Sequence, residues 1–129
     1  MVLLDTNAVL RFVLKDISSQ HKEIVNFLTK NQSLVRLEVL VEMIYVLEKY
    51  YKKSRVEIAH IVFILGKTEN LLFQYPRVIT RALHFFIDEG MDIVDCILCA
   101  FNVVMGHEVF SFDKDMNALL RSFTKQAPP

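Results

Sequence analysis

Glycine and proline are scarce, with three of each in 129 residues. An all-β barrel or sandwich needs turn residues every few positions, and this chain does not supply them. Helices with a few short strands are expected instead. Cysteine is nearly absent as well: Cys96 and Cys99 are the two in the chain. They do not make the disulfide framework of a small secreted domain. Their C-x-x-C spacing has no second pair to complete a zinc site, so the expectation is core packing on a helix. Neither sign of charge is in excess, 15 basic side chains against 15 acidic ones. That balance counts against tight non-specific binding to nucleic acid, but leaves room for an RNA enzyme whose local basic rim is offset by an acidic site. No apolar run approaches the roughly 18 residues of a membrane span, and Arg77 and Arg81 interrupt the later hydrophobic segment. The opening MVLLDTN lacks the basic region, long apolar stretch and cleavage site of a secretory signal. A cytoplasmic protein that makes no membrane contact is expected. The four histidines, His21, His60, His84 and His107, are scattered without a partner Ser or Cys nucleophile, which argues against a Ser-His-Asp hydrolase.

What is present is apolar: 53% of the residues are hydrophobic, which demands a folded interior. The length fits one domain, expected over residues 1–125 with a loose tail at 126–129. Val2, Leu3 and Leu4 form a continuous apolar run, the pattern of a buried parallel strand, and it stops at Asp5. Thr6 and Asn7 then suit the cap of a helix over 8–14, and Ser18 and Ser19 suit the cap of a second. A strand is expected at 33–36. A long amphipathic helix follows over 37–51, with Leu40, Val41, Ile44, Tyr45 and Leu47 inward. Ser54 opens a helix over 56–65 that Gly66 stops. Leu71, Leu72 and Phe73 make a short strand, Pro76 enters a helix running to about Glu89, and another helix occupies 92–105 up to Gly106. A strand at 108–112 and a helix from Asp113 to Phe123 complete the sketch. Strands alternating with helices predict an α/β fold: a three-layer α/β/α sandwich around a mostly parallel sheet.

On that sketch four carboxylates share one edge of the sheet. Asp5 ends the first strand and Asp113 the last, at the carboxyl end where open α/β sheets place their ligands. Glu42 lies inside the helix after the second strand, and Asp95 near the start of its helix. Carboxylates set among apolar residues are costly alone, and several together repel unless a cation neutralises them. Oxygen donors in that number suit Mg²⁺, with Mn²⁺ as the second choice, and the chemistry that fits is phosphodiester hydrolysis. Each acid also has a plainer reading: Asp5 and Asp113 as helix caps, Asp92 and Asp95 as acids at the positive end of a helix, Glu42 as a surface residue.

The same residues carry a family resemblance. LLDTNAVLRF resembles the opening motif of PIN-domain ribonucleases, in which a strand delivers Asp, Thr or Ser, and Asn to the active site. VEMIYVLEKYYKKSR is similar to the second motif and puts its acidic residue at Glu42. DIVDCILCAFNVVMGHEVFSFDKDM resembles the third and fourth, placing them on Asp95 and on Ser111, Phe112 and Asp113. The order and spacing hold over nearly the whole chain. Within that family the length and single-domain layout look like the VapC toxins of toxin–antitoxin pairs. The resemblance implies a Mg²⁺-dependent endoribonuclease, often a homodimer, held inactive by a small cognate antitoxin. It implies that Asp5 and Asp113 bind the metal, that Asp95 binds it directly or through water, and that Glu42 orients the attacking water or accepts its proton. Thr6 and Ser111 would bond a carboxylate or the substrate phosphate, and Asn7 would brace Asp5. Glu38, one turn before Glu42, competes for its role, but the residues after Glu42 match the motif better. Asp92 and Asp115 are the candidates for outer-sphere help. Cys96 and Cys99 depart from the small residues common at their positions without removing a ligand.

Lys49, Lys52, Lys53 and Arg55, interleaved with Tyr50 and Tyr51, form the clearest basic cluster. They would steer RNA phosphates, or simply solvate the end of a helix. Arg11 and Lys15 lie nearer the first motif and are the other substrate-binding candidates. The apolar surplus at Leu83, Phe85, Phe86 and Ile87, and at Phe63, Ile64 and Leu65, is either core or a face for a partner. Three other functions compete: a small-molecule phosphohydrolase, RNA maturation or quality control, and a non-catalytic RNA- or protein-binding module. Haloacid-dehalogenase-type phosphatases need a second Asp where this chain has Asn7, and a binding module has no need of all four acids.

Overall fold

The computed structural model describes the backbone to residue 126 and the side chains to residue 123. The chain divides into two compact units, Met1–Pro76 and a second beginning at Arg77. The fold class is α/β, with a small parallel sheet and seven helices among the described residues, in keeping with the expected α/β/α arrangement.

In the first unit β1 (Val2–Leu3), β2 (Ser33–Val35) and β3 (Leu71–Phe73) lie in that order, all parallel. Val2 pairs with Ser33 and Leu3 with Leu34, and Leu4 continues the ladder by donating to the Leu34 carbonyl at 3.1 Å. β1 is an edge strand, so Val2 and Leu3 are exposed and only Leu4 is buried, where the unbroken apolar run had predicted burial throughout. Parallel pairing brings the carboxyl ends of β1 and β2 to the same edge. The helices that leave them, α1 (Thr6–Leu14) and α3 (Leu37–Lys49), therefore start side by side.

α1 is not capped by Thr6 or Asn7. Asp5 is its cap and accepts from the Ala8 amide at 2.8 Å, because an Asp in extended conformation reaches back over the first turn. α2 (Ser18–Lys30) begins at Ser18 itself, with Ile17 at the cap and no side-chain bond there, so the Ser18 and Ser19 cap is also corrected. Ile24 and Leu28 are its buried residues. α3 buries Leu40, Met43, Ile44 and Leu47, one stripe at helical spacing, while Val41 and Tyr45 are only half-buried. α4 (Arg55–Gly66) opens with a reciprocal capping box: Ser54 accepts from the Glu57 amide, and Glu57 accepts from the Ser54 amide.

The second unit carries α5 (Pro76–Asp88) from Arg77 onward, then α6 (Ile93–Met105) and α7 (Lys114–Gln126). Asp92 caps α6, and Gly106, in the left-handed conformation at φ 74°, ends it. Leu83, Phe85 and Phe86 are buried, so most of the apolar surplus on α5 is core. Cys96 and Cys99 are fully buried and form no disulfide.

The strand expected at 108–112 is absent. Val109 and Ser111 are half-buried while Phe110 and Phe112 stand 88% and 90% exposed, with their rings edge to face at 5.4 Å. The alternation of a strand is there, but a strand also needs a ladder partner, and that segment joins none among the described residues. α7 runs to Gln126, one residue into the expected loose tail, and residues 127–129 lie outside those described.

Candidate functional site

In the first unit, Asp5 is exposed at the carboxyl end of β1 and has its Oδ1 committed to the α1 cap. The next residue, Thr6, donates its hydroxyl to Oε2 of Glu42 at 3.0 Å. Glu42 lies in the second turn of α3, exposed, on the side of the helix away from the buried stripe. Glu38, the competing acid, is bound instead by the Arg36 guanidinium, which holds its carboxyl below the usual range, helped by backbone hydrogen bonding at the helix start. Of the two glutamates, Glu42 is the one tied to the D-T-N segment. Asn7 is exposed in the first turn of α1.

Arg11 leaves α1 one turn later. Its guanidinium is bound by Asp16 at 3.0 Å and meets the Tyr51 hydroxyl at 3.4 Å, and its side chain is only 12% exposed. Lys15 is exposed in left-handed conformation at the C-cap of α1. The basic cluster at the end of α3 is less uniform than its sequence. The Lys49 ammonium lies over the Tyr45 ring at 5.2 Å, and Arg55 faces Glu48 at 3.8 Å. Lys52 is exposed at a positive φ of 54°, and Lys53 is half-buried with its amide bonded to the Leu47 carbonyl. Tyr50 is 80% exposed.

In the second unit, Asp113 is the residue before α7. Its Oδ1 accepts from the Met116 amide at 2.8 Å, and its own amide donates to the Ser111 hydroxyl at 2.9 Å. Asp113 therefore reaches its place as a helix cap after an unpaired segment, not as the end of a strand. Ser111 braces the Asp113 backbone rather than its carboxylate. Asp92 accepts from the Val94 amide at 3.2 Å. Asp95, in the first turn of α6, has its carboxyl pushed above the ordinary range: burial disfavours the charge, and the negative fields of Asp92 and then Asp113 act in the same direction. The Asp113 field also reaches Cys99, whose thiol is pushed up to about 11 by burial first and then by Asp95, Asp113 and Glu89. Asp115 sits in the first turn of α7, beside Glu89 in a shallow cleft.

The carboxylates thus fall as Asp5 and Glu42 in one unit and Asp92, Asp95 and Asp113 in the other. Among the described residues no three His, Cys, Asp or Glu side chains form a group that could hold a metal ion. Sequence reasoning missed Gln20, Glu23 and Phe27, which line a cleft together with Asp5 and Arg11. Their spacing on α2, three and then four residues, puts them on one helix face and was the available signal.

No helix among the described residues is long and apolar enough to cross a membrane. Comparison with known proteins yields no match among curated proteins and none among solved structures. One family model matches, described as the PIN domain, over residues 2–120. Domains of this kind are typically nucleases, and they generally use divalent metal ions. With nearly the whole chain inside that match, from the strand before Asp5 to the helix after Asp113, the chain belongs to the PIN domain family.

Proposed function

We propose that this PIN domain is a Mg²⁺-dependent endoribonuclease, with Asp5, Asp95 and Asp113 as metal ligands and Glu42 as the residue that positions or deprotonates the attacking water. The observation that carries this reading is the 3.0 Å bond from Thr6 to Glu42. It ties the motif after β1 to an acid 36 residues later, and an unused surface glutamate has no need of that restraint. The donor set fits a hard cation. Every ligand is a carboxylate oxygen, and one oxygen each of Asp5 and Asp113 is committed to a helix cap. That bond fixes the carboxylate and leaves its second oxygen to reach a cation. Ionised Asp95 is disfavoured by burial and by two acid neighbours, a cost that a bound cation would offset.

When bound, the ion would polarise the scissile phosphate and neutralise charge developing on it. Glu42, held by Thr6, keeps a fixed carboxylate direction and serves as proton acceptor. Asn7 and Asp92 support the ligands beside them, and Asp115 lies near enough in sequence to Asp113 to assist. Lys15, Lys49, Lys52 and Lys53 offer phosphate contacts, with Tyr50 as an exposed ring for a base. The closer assignment is the toxin of a toxin–antitoxin pair in the VapC group: a single cytoplasmic domain, a homodimer, restrained by a small antitoxin. The resemblance of the four motifs supports it. A neighbouring reading frame for a small antitoxin that co-purifies with the chain is the expected companion. Its absence would favour RNA processing.

The test is cleavage of a pool of structured and unstructured RNAs with Mg²⁺, with Mn²⁺ and with EDTA, using Asp5→Asn to control for contaminating nuclease. Cutting that needs the metal and vanishes in the variant is expected. Folded, antitoxin-free protein that cuts nothing in the pool would overturn the catalytic reading in favour of a binding module.

A further inference from the structure

Beside Asp5 the first unit holds a cleft of about 300 Å³ between α1 and α2. Asp5, Asn7 and Arg11 line one side, and Gln20, Glu23 and Phe27 line the other. Asn7 and Arg11 are one turn apart on α1, and the α2 residues share a face, so two regular helices build the cleft without a special loop. Its chemistry is mixed in a particular way. Phe27 is a half-buried ring, whereas Asn7, Gln20 and Glu23 are exposed and can turn toward a ligand. Two of these are amides, which donate and accept at once, and Glu23 accepts only.

Arg11 is the fixed donor. Asp16 and Tyr51 hold two of its nitrogens, while its Nε is buried without an acceptor among the described residues. That buried Nε is closed to a ligand, so the donor capacity left to the cleft is the second hydrogen on each terminal nitrogen of a guanidinium that Asp16 and Tyr51 immobilise. A planar, restrained fork of that kind suits the acceptor edge of a base.

We propose that this cleft is a nucleobase subsite that seats one unpaired base of an RNA strand and prefers guanine. The proposal rests on the nuclease reading above and adds the specificity that reading leaves open. Guanine presents acceptors at O6 and N7 and two adjacent N–H donors on its pairing edge. Arg11 complements the acceptors, and the Glu23 carboxylate complements the paired donors. Adenine, cytosine and uracil each lack that pair of adjacent donors. Phe27 offers its ring to the base, a contact open only to a base splayed out of a duplex. Asp5 lines the same cleft, so a base seated there lies beside a carboxylate assigned to the metal.

The experiment is a titration of the full chain in EDTA, where no cutting occurs, with 5′-GMP, AMP, CMP and UMP, followed by NMR of the Asn7 and Gln20 side-chain amides. GMP is expected to shift both and to bind roughly tenfold tighter than the other three, the discrimination typical of a good base contact. Glu23→Gln should erase most of that preference, and Phe27→Leu should weaken all four nucleotides. Equal binding of the four, or shifts that map away from α1 and α2, would overturn the proposal. The cut positions in the RNA pool separate this failure from that of the nuclease reading. Metal-dependent cutting with no guanine bias, unchanged in Glu23→Gln, sinks the cleft and leaves the nuclease. GMP binding in the cleft with no RNA cut sinks the nuclease and leaves the subsite.

Discussion

Thr6 and Glu42 are joined by a hydroxyl-to-carboxylate hydrogen bond of 3.0 Å across 36 residues of sequence. The parallel pairing of β1 with β2 makes it possible, since it starts α1 and α3 at one edge. Thr6→Val keeps the shape and removes the donor. The bond is at the surface, so its net contribution to stability is at most about 1 kcal/mol and the melting temperature should move by only a few degrees. If Glu42 acts on the attacking water, single-turnover cleavage should drop by roughly tenfold while Thr6→Ser retains the rate. Equal rates in Thr6→Val and the parent would remove Glu42's orientation from the mechanism.

Asp5 carries two duties that different substitutions separate. Asparagine caps a helix about as well as aspartate, so Asp5→Asn should fold normally, with a melting temperature equal to or above the parent's in EDTA. Its cleavage should fall to background. Asp5→Ala loses the bond to the Ala8 amide too, and should cost about 1 kcal/mol in urea unfolding on top of the lost activity. A poorly folded Asp5→Asn would instead make Asp5 a structural residue.

The raised carboxyl of Asp95 sets a pH dependence whose sign follows from linkage. An acid whose folded pKa exceeds its unfolded one favours the fold while protonated, below the ordinary Asp range. That contribution is lost as pH rises through the raised folded value. At neutral pH without metal, ionised Asp95 therefore destabilises the chain. Asp95→Asn should melt higher than the parent at pH 7 in EDTA, and the gap should close toward pH 3. Mg²⁺ should raise the parent's melting temperature and leave the variant's nearly unmoved. A variant that melts lower at pH 7 would mean that Asp95 is held by contacts that favour its charge.

Much of this was legible in the residues. Helix bounds came within a residue or two wherever an apolar stripe and a stop signal agreed, as at Gly66 and Gly106. Local patterns misled where a partner decides the outcome. Residues 108–112 alternate like a strand but find no ladder among the described residues, and the run at Val2 and Leu3 reads as buried although β1 is an edge. Thr6 and Asn7 suit a cap one or two residues too late at α1, whereas the plainer reading of Asp5 as a cap matches the structure; all three are good caps and propensity cannot choose among them. The motif resemblance has Thr6 bonding a carboxylate or a phosphate, and it is the pairing of β1 with β2 that makes Glu42 the partner. The α1–α2 cleft is legible only in part: spacing puts Gln20, Glu23 and Phe27 on one face of α2, but that face reads as ordinary helix surface until α1 is packed against it.

The two cysteines supply a prediction independent of any nuclease chemistry. Cys96 and Cys99 are fully buried, and the Cys99 thiol is pushed up to about 11, first by burial and then by Asp95, Asp113 and Glu89. Nucleophilic attack needs the thiolate, and at pH 8 a thiol of that pKa is ionised in only about one molecule per thousand. Native protein mixed with a disulfide reagent at pH 8 should therefore release almost no chromophore, whereas protein in guanidinium should release two equivalents at once, one from each cysteine. Slow labelling should track opening of the fold and slow further under stabilising conditions. Fast labelling of the native chain would require an exposed, low-pKa thiol, and the C-x-x-C pair would then have to be reconsidered as reactive rather than as packing.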